Sequence, residues 1–174
     1  MYKNIAVATD GSAMGGKAVD TAAKLAALCD AELTIVHILM HGEPPEAFRH
    51  MAEVEHIVKE HPHVQTALDN VPRPFVAMAS SVESHRLDDE VIGAMGDYVA
   101  KHAKKVAQEA GVKTVNTEVL NGDTAHQIID AAKRHNTDLI VVGTRGLGPL
   151  KELLMGSISR KITQAADCAC LVVK

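Results

Sequence analysis

An α/β fold, with a five-stranded and mostly parallel sheet covered by helices on both faces, is predicted by three observations. Short apolar runs of strand length alternate with stretches whose apolar residues recur at helical spacing. Most of those runs are apolar almost throughout, as in strands buried on both faces, rather than alternating as in strands with one wet face. Turn and cap residues stand where strand gives way to helix, at Asp10-Gly11-Ser12 and at Asn121-Gly122-Asp123.

The elements follow in order. Residues 3–9 (KNIAVAT) form the first strand, and from Ser12 the residues Ala18, Ala22, Leu25, Ala26 and Cys29 mark a helix. Residues 31–39 (AELTIVHIL) form a second, buried strand. A helix is expected over 44–61, with Ala47, Met51, Val54 and Val58 on one face, whereas 62–84 has no clear period. A longer helix follows over 88–111, its stripe set by Val91, Met95, Val99, His102 and Val106. Residues 113–120 alternate more and read as a strand nearer an edge. A helix over 124–135, a buried strand over 138–143, a helix over 157–166 and a last strand over 169–174 complete the chain. Right-handed crossovers leave few topologies for such a series, and the flavodoxin-like order 3-2-1-4-5 is the one expected. In that order the first and fourth strands lie side by side where the sheet reverses its direction of build. Asp10 and Gly143 then share the crevice at their carboxyl ends, the usual ligand site of an open α/β sheet.

Composition narrows the function. The 174 residues suit one domain, and 47% apolar content is not that of a disordered chain. Aromatics are only 2% of the chain, which argues against stacking of bases or of a flavin ring. The formal charge of −4 lacks the basic excess of a nucleic-acid binder. Cys29, Cys168 and Cys170 make no disulfide framework, since the last two sit two apart on a strand. No apolar run reaches the ~18–20 residues of a membrane span. The first strand opens the sequence with no signal-like segment before it. A soluble, cytoplasmic protein with no membrane insertion is the expectation.

Two glycine-bearing connections compete as phosphate sites. Gly11 to Lys17 matches G-x-x-x-x-G-K, but Ala18 stands where a magnesium-ligating hydroxyl belongs. Asp10 would repel phosphates there, and a Ser12 cap would start the helix too early for a loop to wrap one. Small residues letting a helix pack closely on the sheet are the preferred explanation. The second connection carries Gly143, Gly146, Gly148, Pro149 and Gly156, followed by Ser157 and Ser159. Glycines let phosphate oxygens approach amides with no Cβ in the way, and permit positive φ. The helix beginning at Ser157 offers unpaired N–H groups and the positive end of its dipole. Leu153 and Leu154 are expected to close the loop against the core.

Gly143-x2-Gly146-x9-Gly156-Ser157 resembles, in spacing and type, the ATP-binding signature of the universal stress protein family. NIAVATDGS, TIVHIL, DLIVVGTRG and the closing LVV are similar to the family's strands. The resemblance covers 1–40 and about 112–174. It is weaker over 41–90, which reads as a family-variable insert, a lid or oligomer contact, within one domain spanning 1–174. The resemblance implies that Asp10 contacts the ribose or adenine side of ATP and that Ile38 offers main-chain hydrogen bonds to adenine. Ala8 would line that slot and Val142 and Gly143 would flank the ribose. Gly146, Gly156, Ser157 and the Ile158 amide would hold the phosphates, with Mg or Mn, and Arg145 is the best placed basic residue to join them. It also implies a homodimer through the last strand, where Cys168-Ala169-Cys170 departs from the common Cys-Pro-Val and frees an N–H.

Other residues tempt less. His50, His56, His61 and His63 fit no strong metal spacing and are read as solvated. His37, on a buried strand, is read as a core residue bonded to backbone. Ser12 and Ser157 belong to no His–Asp constellation. With no general base or arginine finger beside the expected phosphates, a nucleotide-dependent regulator acting on an unknown protein partner is preferred over an enzyme, with at most slow ATP hydrolysis. The alternatives are a nucleotide-hydrolysing or nucleotide-transferring enzyme on the same fold, and a dimeric interaction module.

Overall fold

The computed structural model describes residues 1–39, 81–144 and 155–174. Its described elements run β1 (Asn4–Ala8), α1 (Ala13–Cys29), β2 (Glu32–Leu39), α2 (Ser81–Glu109), β3 (Val115–Asn121), α3 (Thr124–Arg134), β4 (Leu139–Gly143), α4 (Ser157–Ala165) and β5 (Ala169–Val173). Met1–Leu39 and Val99–Lys174 form one compact unit; of the second, Met40–Tyr98, the described part is the first portion of α2. The helix expected over 44–61, and the expected loop from 145 to 154 with its leucines, lie outside the described residues.

The five strands form one sheet in the order β3-β2-β1-β4-β5, and every pairing is parallel. The expected order therefore holds, with "mostly parallel" sharpened to all parallel. Strand alternation divides the core in two. Ile5, Val7, Leu33, Ile35, Leu139 and Val141 face α1 and the later turns of α2. Ala6, Val36, Ile38, Ile140 and Val142 face α3 and α4, with Ile128 and Ile162 set against them. Right-handed crossovers require this distribution: connections moving outward from β1 toward β3 lie on one face, and those moving through β4 to β5 on the other. The central strands are buried on both faces, which is why their sequences read as continuous apolar runs. β3 and β5, at the edges, are only half-buried.

Two expectations need correction around α2. The helix begins at Ser81 rather than at residue 88, so Asp88 and Asp89, a natural place to start a helix, lie inside it. Its inner face in the first unit runs through Val99, Ala103 and Ala107, whereas His102 is exposed. Steps of four from Val99 carry the stripe through the two alanines, and His102 falls off that line.

The opening of α1 settles the role of its two glycines. Ser12 is the N-cap, its Oγ accepting from Gly15 N–H at 3.0 Å. A Cβ on Gly15 would come within 2.7 Å of Thr9 Oγ1 and 2.8 Å of Asp10 Oδ1, while one on Gly16 would meet nothing within 4 Å. The close approach of helix to strand end thus rests on Gly15 alone. Gly15→Val is expected to destabilise the protein by roughly 1–3 kcal/mol through overpacking. Gly16→Ala is expected to be neutral or to stabilise by up to about 1 kcal/mol through helix propensity. Urea denaturation of the two variants checks the contrast, and equal effects would contradict it.

Candidate functional site

β1 and β4 lie side by side, with Ala8 in register with Val142, and from this pair the sheet builds outward in both directions. That is the switch point at which open α/β sheets bind ligands. β1 is the shorter partner of β2. Its last pair is Ala8 with Val36, while β2 continues to Leu39, paired with Asn121 of β3. A notch therefore opens at the carboxyl end of the central strand.

The floor of the notch is Thr9–Ser12, and its main chain is well bonded. Thr9 N–H donates to the Val36 carbonyl at 3.1 Å, and the Thr9 carbonyl accepts from His37 Nδ1 at 2.9 Å. Gly11 adopts φ 78°, a left-handed turn that favours glycine. Its N–H donates to Thr9 Oγ1 at 3.2 Å, and Ser12 N–H donates to Asp10 Oδ1 at 3.0 Å. Helical residues begin at Ala13, and Lys17 is exposed on the second turn. Gly11 to Lys17 is therefore a capped helix start with no loop to wrap a phosphate, as the Ser12 cap implied.

The wall beside it comes from β4 and α4. Gly143 ends β4 in register with Val173, and Thr144 N–H donates to the Val173 carbonyl at 2.7 Å. The chain returns at Gly156, whose N–H donates to the Thr144 carbonyl at 2.6 Å. Both ends of the 145–155 connection are thus tied together at its base. Ser159 Oγ donates to the Gly143 carbonyl at 2.7 Å, anchoring the first turn of α4 to the strand it follows. Gly156 is the N-cap of α4 and has no side chain with which to cap that end. Ser12 caps α1, and Asp123 caps α3 through His126 N–H at 3.0 Å. The first N–H groups of α4 thus receive no N-cap side chain, and they lie next to exposed Ser157 and Ile158.

Most of the sequence-predicted site residues are brought together. Ala8, Ile38 and Val142 share the sheet face that packs against α3 and α4. Asp10 and Gly143 stand at adjacent strand ends, and Gly156, Ser157 and Ile158 form the N-terminus of the helix anchored there. Arg145 and Gly146 lie outside the described residues. Two expectations change. Gly156 has φ −67°, a value open to any residue, so no left-handed turn calls for glycine there. Ser159 is buried and spends its hydroxyl on Gly143, so it is a tether and not a donor facing the crevice.

Sequence reasoning missed Thr9 and Thr144, both buried, which hold the chain where β1 and β4 end. Their signal was faint: a threonine directly after an apolar run, where a hydroxyl or main-chain bond replaces the next rung of the ladder. Elsewhere, Glu118 on β3 bonds to Arg134 and, at 2.6 Å, to His135 Nε2. Burial raises its carboxyl pKa, but the bonds from Arg134 and then His135 outweigh that and leave it below the usual range. The cluster ties β3 to the end of α3 and has its charges satisfied.

His37 is read correctly as a core histidine bonded to backbone. Burial pushes its pKa below the ordinary value near 6.5, outweighing the Thr9 carbonyl bond and the Asp10 charge, which both favour the cation. As pH falls through about 6.5, the unfolded chain takes up this proton before the folded one does. Stability should therefore fall with pH through that window and level off below the folded pKa. Denaturation at about pH 7.5 and about pH 5.5 should show a smaller loss for His37→Asn than for the wild-type protein. Equal losses would show that another group controls the slope.

The arrangement defines a class: an open, doubly wound α/β protein with Asp10 after the central strand and a glycine-capped helix after its neighbour β4, on either side of the switch point. A model of the universal stress protein family matches residues 1–174. Universal stress protein YxiE of Bacillus subtilis (strain 168) is 34% identical over 177 residues, covering all of both chains. Universal stress protein MJ0531 of Methanocaldococcus jannaschii is 30% identical over 174 residues, covering all of this chain and 83% of the other. The chain belongs to the universal stress protein family. Among solved structures, a universal stress protein in complex with cAMP superimposes with a TM-score of 0.63 at 21% identity, over 99% of this chain and 97% of the other. The universal stress protein from Archaeoglobus fulgidus in complex with dAMP does so with a TM-score of 0.56 at 17% identity, over 99% and 98%. These two establish likeness of fold.

Proposed function

We propose that the protein is an ATP-binding regulator, which takes the nucleotide in the switch-point crevice and reports its presence to a protein partner. The observation that carries this reading is the N-terminus of α4: it opens at Gly156, an N-cap without a side chain, tied to the carboxyl end of β4 next to that of β1. Unpaired N–H groups at the positive end of a helix dipole suit phosphate oxygens. In this reading Gly146, Gly156, Ser157 and the Ile158 amide hold phosphates, with Arg145 beside them. Val142 and Gly143 flank the ribose, Asp10 takes its hydroxyls or the adenine side, and Ala8 with the Ile38 main chain receives adenine. The cAMP and dAMP complexes of its structural relatives support an adenine nucleotide as the ligand class. Among the described residues, no group of three or more His, Cys, Asp or Glu side chains could hold a metal ion. A divalent cation, Mg or Mn, would therefore arrive with ATP and be ligated mainly by its phosphates.

The same reading takes residues 1–174 as one domain with 41–90 as its variable insert, supported by the family match across the whole chain. It takes β5, a half-buried edge strand, as the contact of a homodimer. Among the described residues, no helix is long and apolar enough to cross a membrane.

Isothermal titration with ATP tests the site. Gly156→Val and Gly146→Val are each expected to weaken binding more than about tenfold, since a branched side chain would stand where phosphate oxygens approach. Lys17→Ala is expected to bind as the wild-type protein does. Unchanged affinity in both glycine variants would overturn the assignment. Loss through Lys17→Ala alone would move the phosphates to the N-terminal glycines. Phosphate release well above background, sensitive to the glycine changes, would make the protein an enzyme.

A further inference from the structure

The Thr9 carbonyl is the first main-chain acceptor past β1, just before the chain turns at Asp10 and Gly11. In a parallel ladder that continued past Ala8, it would accept from the N–H of Ile38, since Thr9 N–H already donates to Val36. It accepts instead from a side chain, His37 Nδ1, at 2.9 Å. His37 is only 2% exposed, so this is an interior bond with little competition from water. Thr9 is thereby held to β2 through both its N–H and its carbonyl, the carbonyl being half of the peptide that leads into Asp10. Ile38, next on β2, is paired with Leu120 of β3.

We propose that His37 is a positioning residue for the nucleotide site: through the Thr9 carbonyl it fixes the 9–10 peptide, aims Asp10 into the crevice, and stands in for the rung that Ile38 would otherwise supply. The inference rests on the functional reading above and adds a residue that touches no ligand. The bond requires the proton on Nδ1, because a carbonyl can only accept. The neutral ring is therefore the Nδ1–H tautomer, with Nε2 unprotonated. Asparagine can present an N–H donor at nearly the same place, and leucine cannot. A buried carbonyl stripped of its donor is costly, so its peptide should shift to find another partner.

ATP titrations of the wild-type protein, His37→Asn, His37→Leu, Asp10→Asn and the His37→Leu/Asp10→Asn double variant test this. His37→Leu is expected to weaken ATP about tenfold or more, and His37→Asn to restore affinity to within about threefold of wild type. In the Asp10→Asn background, His37→Leu should cost little further, because the residues act as one unit. Additive losses, or a His37→Asn variant as weak as His37→Leu, would overturn the inference while leaving the nucleotide site standing. A wild-type protein that binds no adenine nucleotide would instead overturn the functional reading itself. Should His37→Leu fail to fold, nitrogen-15 NMR of the wild-type imidazole decides: the Nδ1–H tautomer supports the clasp, and the Nε2–H tautomer ends it.

Discussion

The short central strand is the constraint on which the rest of the structure depends. β1 lies between β2 and β4, buried on both faces, and its paired residues stop at Ala8 while β2 runs on to Leu39. A central parallel strand that ends early leaves the main-chain groups just past its end without ladder partners, and buried groups of that kind must find others. The chain meets the requirement with side chains and tight turns. His37 takes the Thr9 carbonyl, Thr9 Oγ1 takes Gly11 N–H, and Asp10 takes Ser12 N–H. Each bond also brings the chain round so that α1 can start at once, and Gly15 lets that helix sit directly against the turn. The notch is the consequence of a length mismatch, and its floor is what makes the mismatch tolerable.

The opposite wall follows a different logic. Among the described residues, α4 is placed by bonds to the ends of β4 and β5. Gly156 is tied to Thr144, Thr144 to Val173, and Ser159 to Gly143, so β4, β5 and the first turn of the helix are locked by three bonds at one corner. A long connection closed at its base in this way can vary in sequence without moving the helix end. Ile162 then holds the next turn on the sheet face that carries Ala6 and Val142. The helix terminus is accordingly aimed by the scaffold.

The sheet was legible because burial on both faces leaves a plain trace: near-continuous apolar runs at 31–39 and 138–143 can hardly be anything but central strands. The site was legible only to the level of segments. Gly15 and Gly16 are adjacent and chemically identical, yet one is wedged against Thr9 and the other faces open space. Ser157 and Ser159 differ in the same way, one exposed and one tethered inside. Choosing between such neighbours needs the phase of the helix relative to the sheet, which periodicity fixes only to within about a residue. His102 was lost for that reason, because the alanines that carry the stripe give a weak apolar signal. His37 could be assigned to the interior from its strand alone. That its partner is the Thr9 carbonyl depends on where β1 stops relative to β2, and register between strands is not written in either strand.

The polarity of the notch limits what can lie in it. Asp10 puts a carboxylate on the β1 side, and the α4 terminus puts a partial positive charge on the β4 side. A ligand anionic throughout would be repelled at one wall, and a neutral one would leave the helix N–H groups facing nothing better than water. A molecule with a charged end and a neutral, hydroxyl-bearing end satisfies both, and only in one direction. A nucleotide is such a molecule. In the proposed function, the carboxylate that disqualified the N-terminal glycines as a phosphate cradle acquires a purpose, since it would turn phosphates toward Gly156. On the proposed reading the two glycine-bearing connections were never rivals for one ligand end: the first, packed tight at Gly15, positions the group that excludes phosphate, and the second receives it.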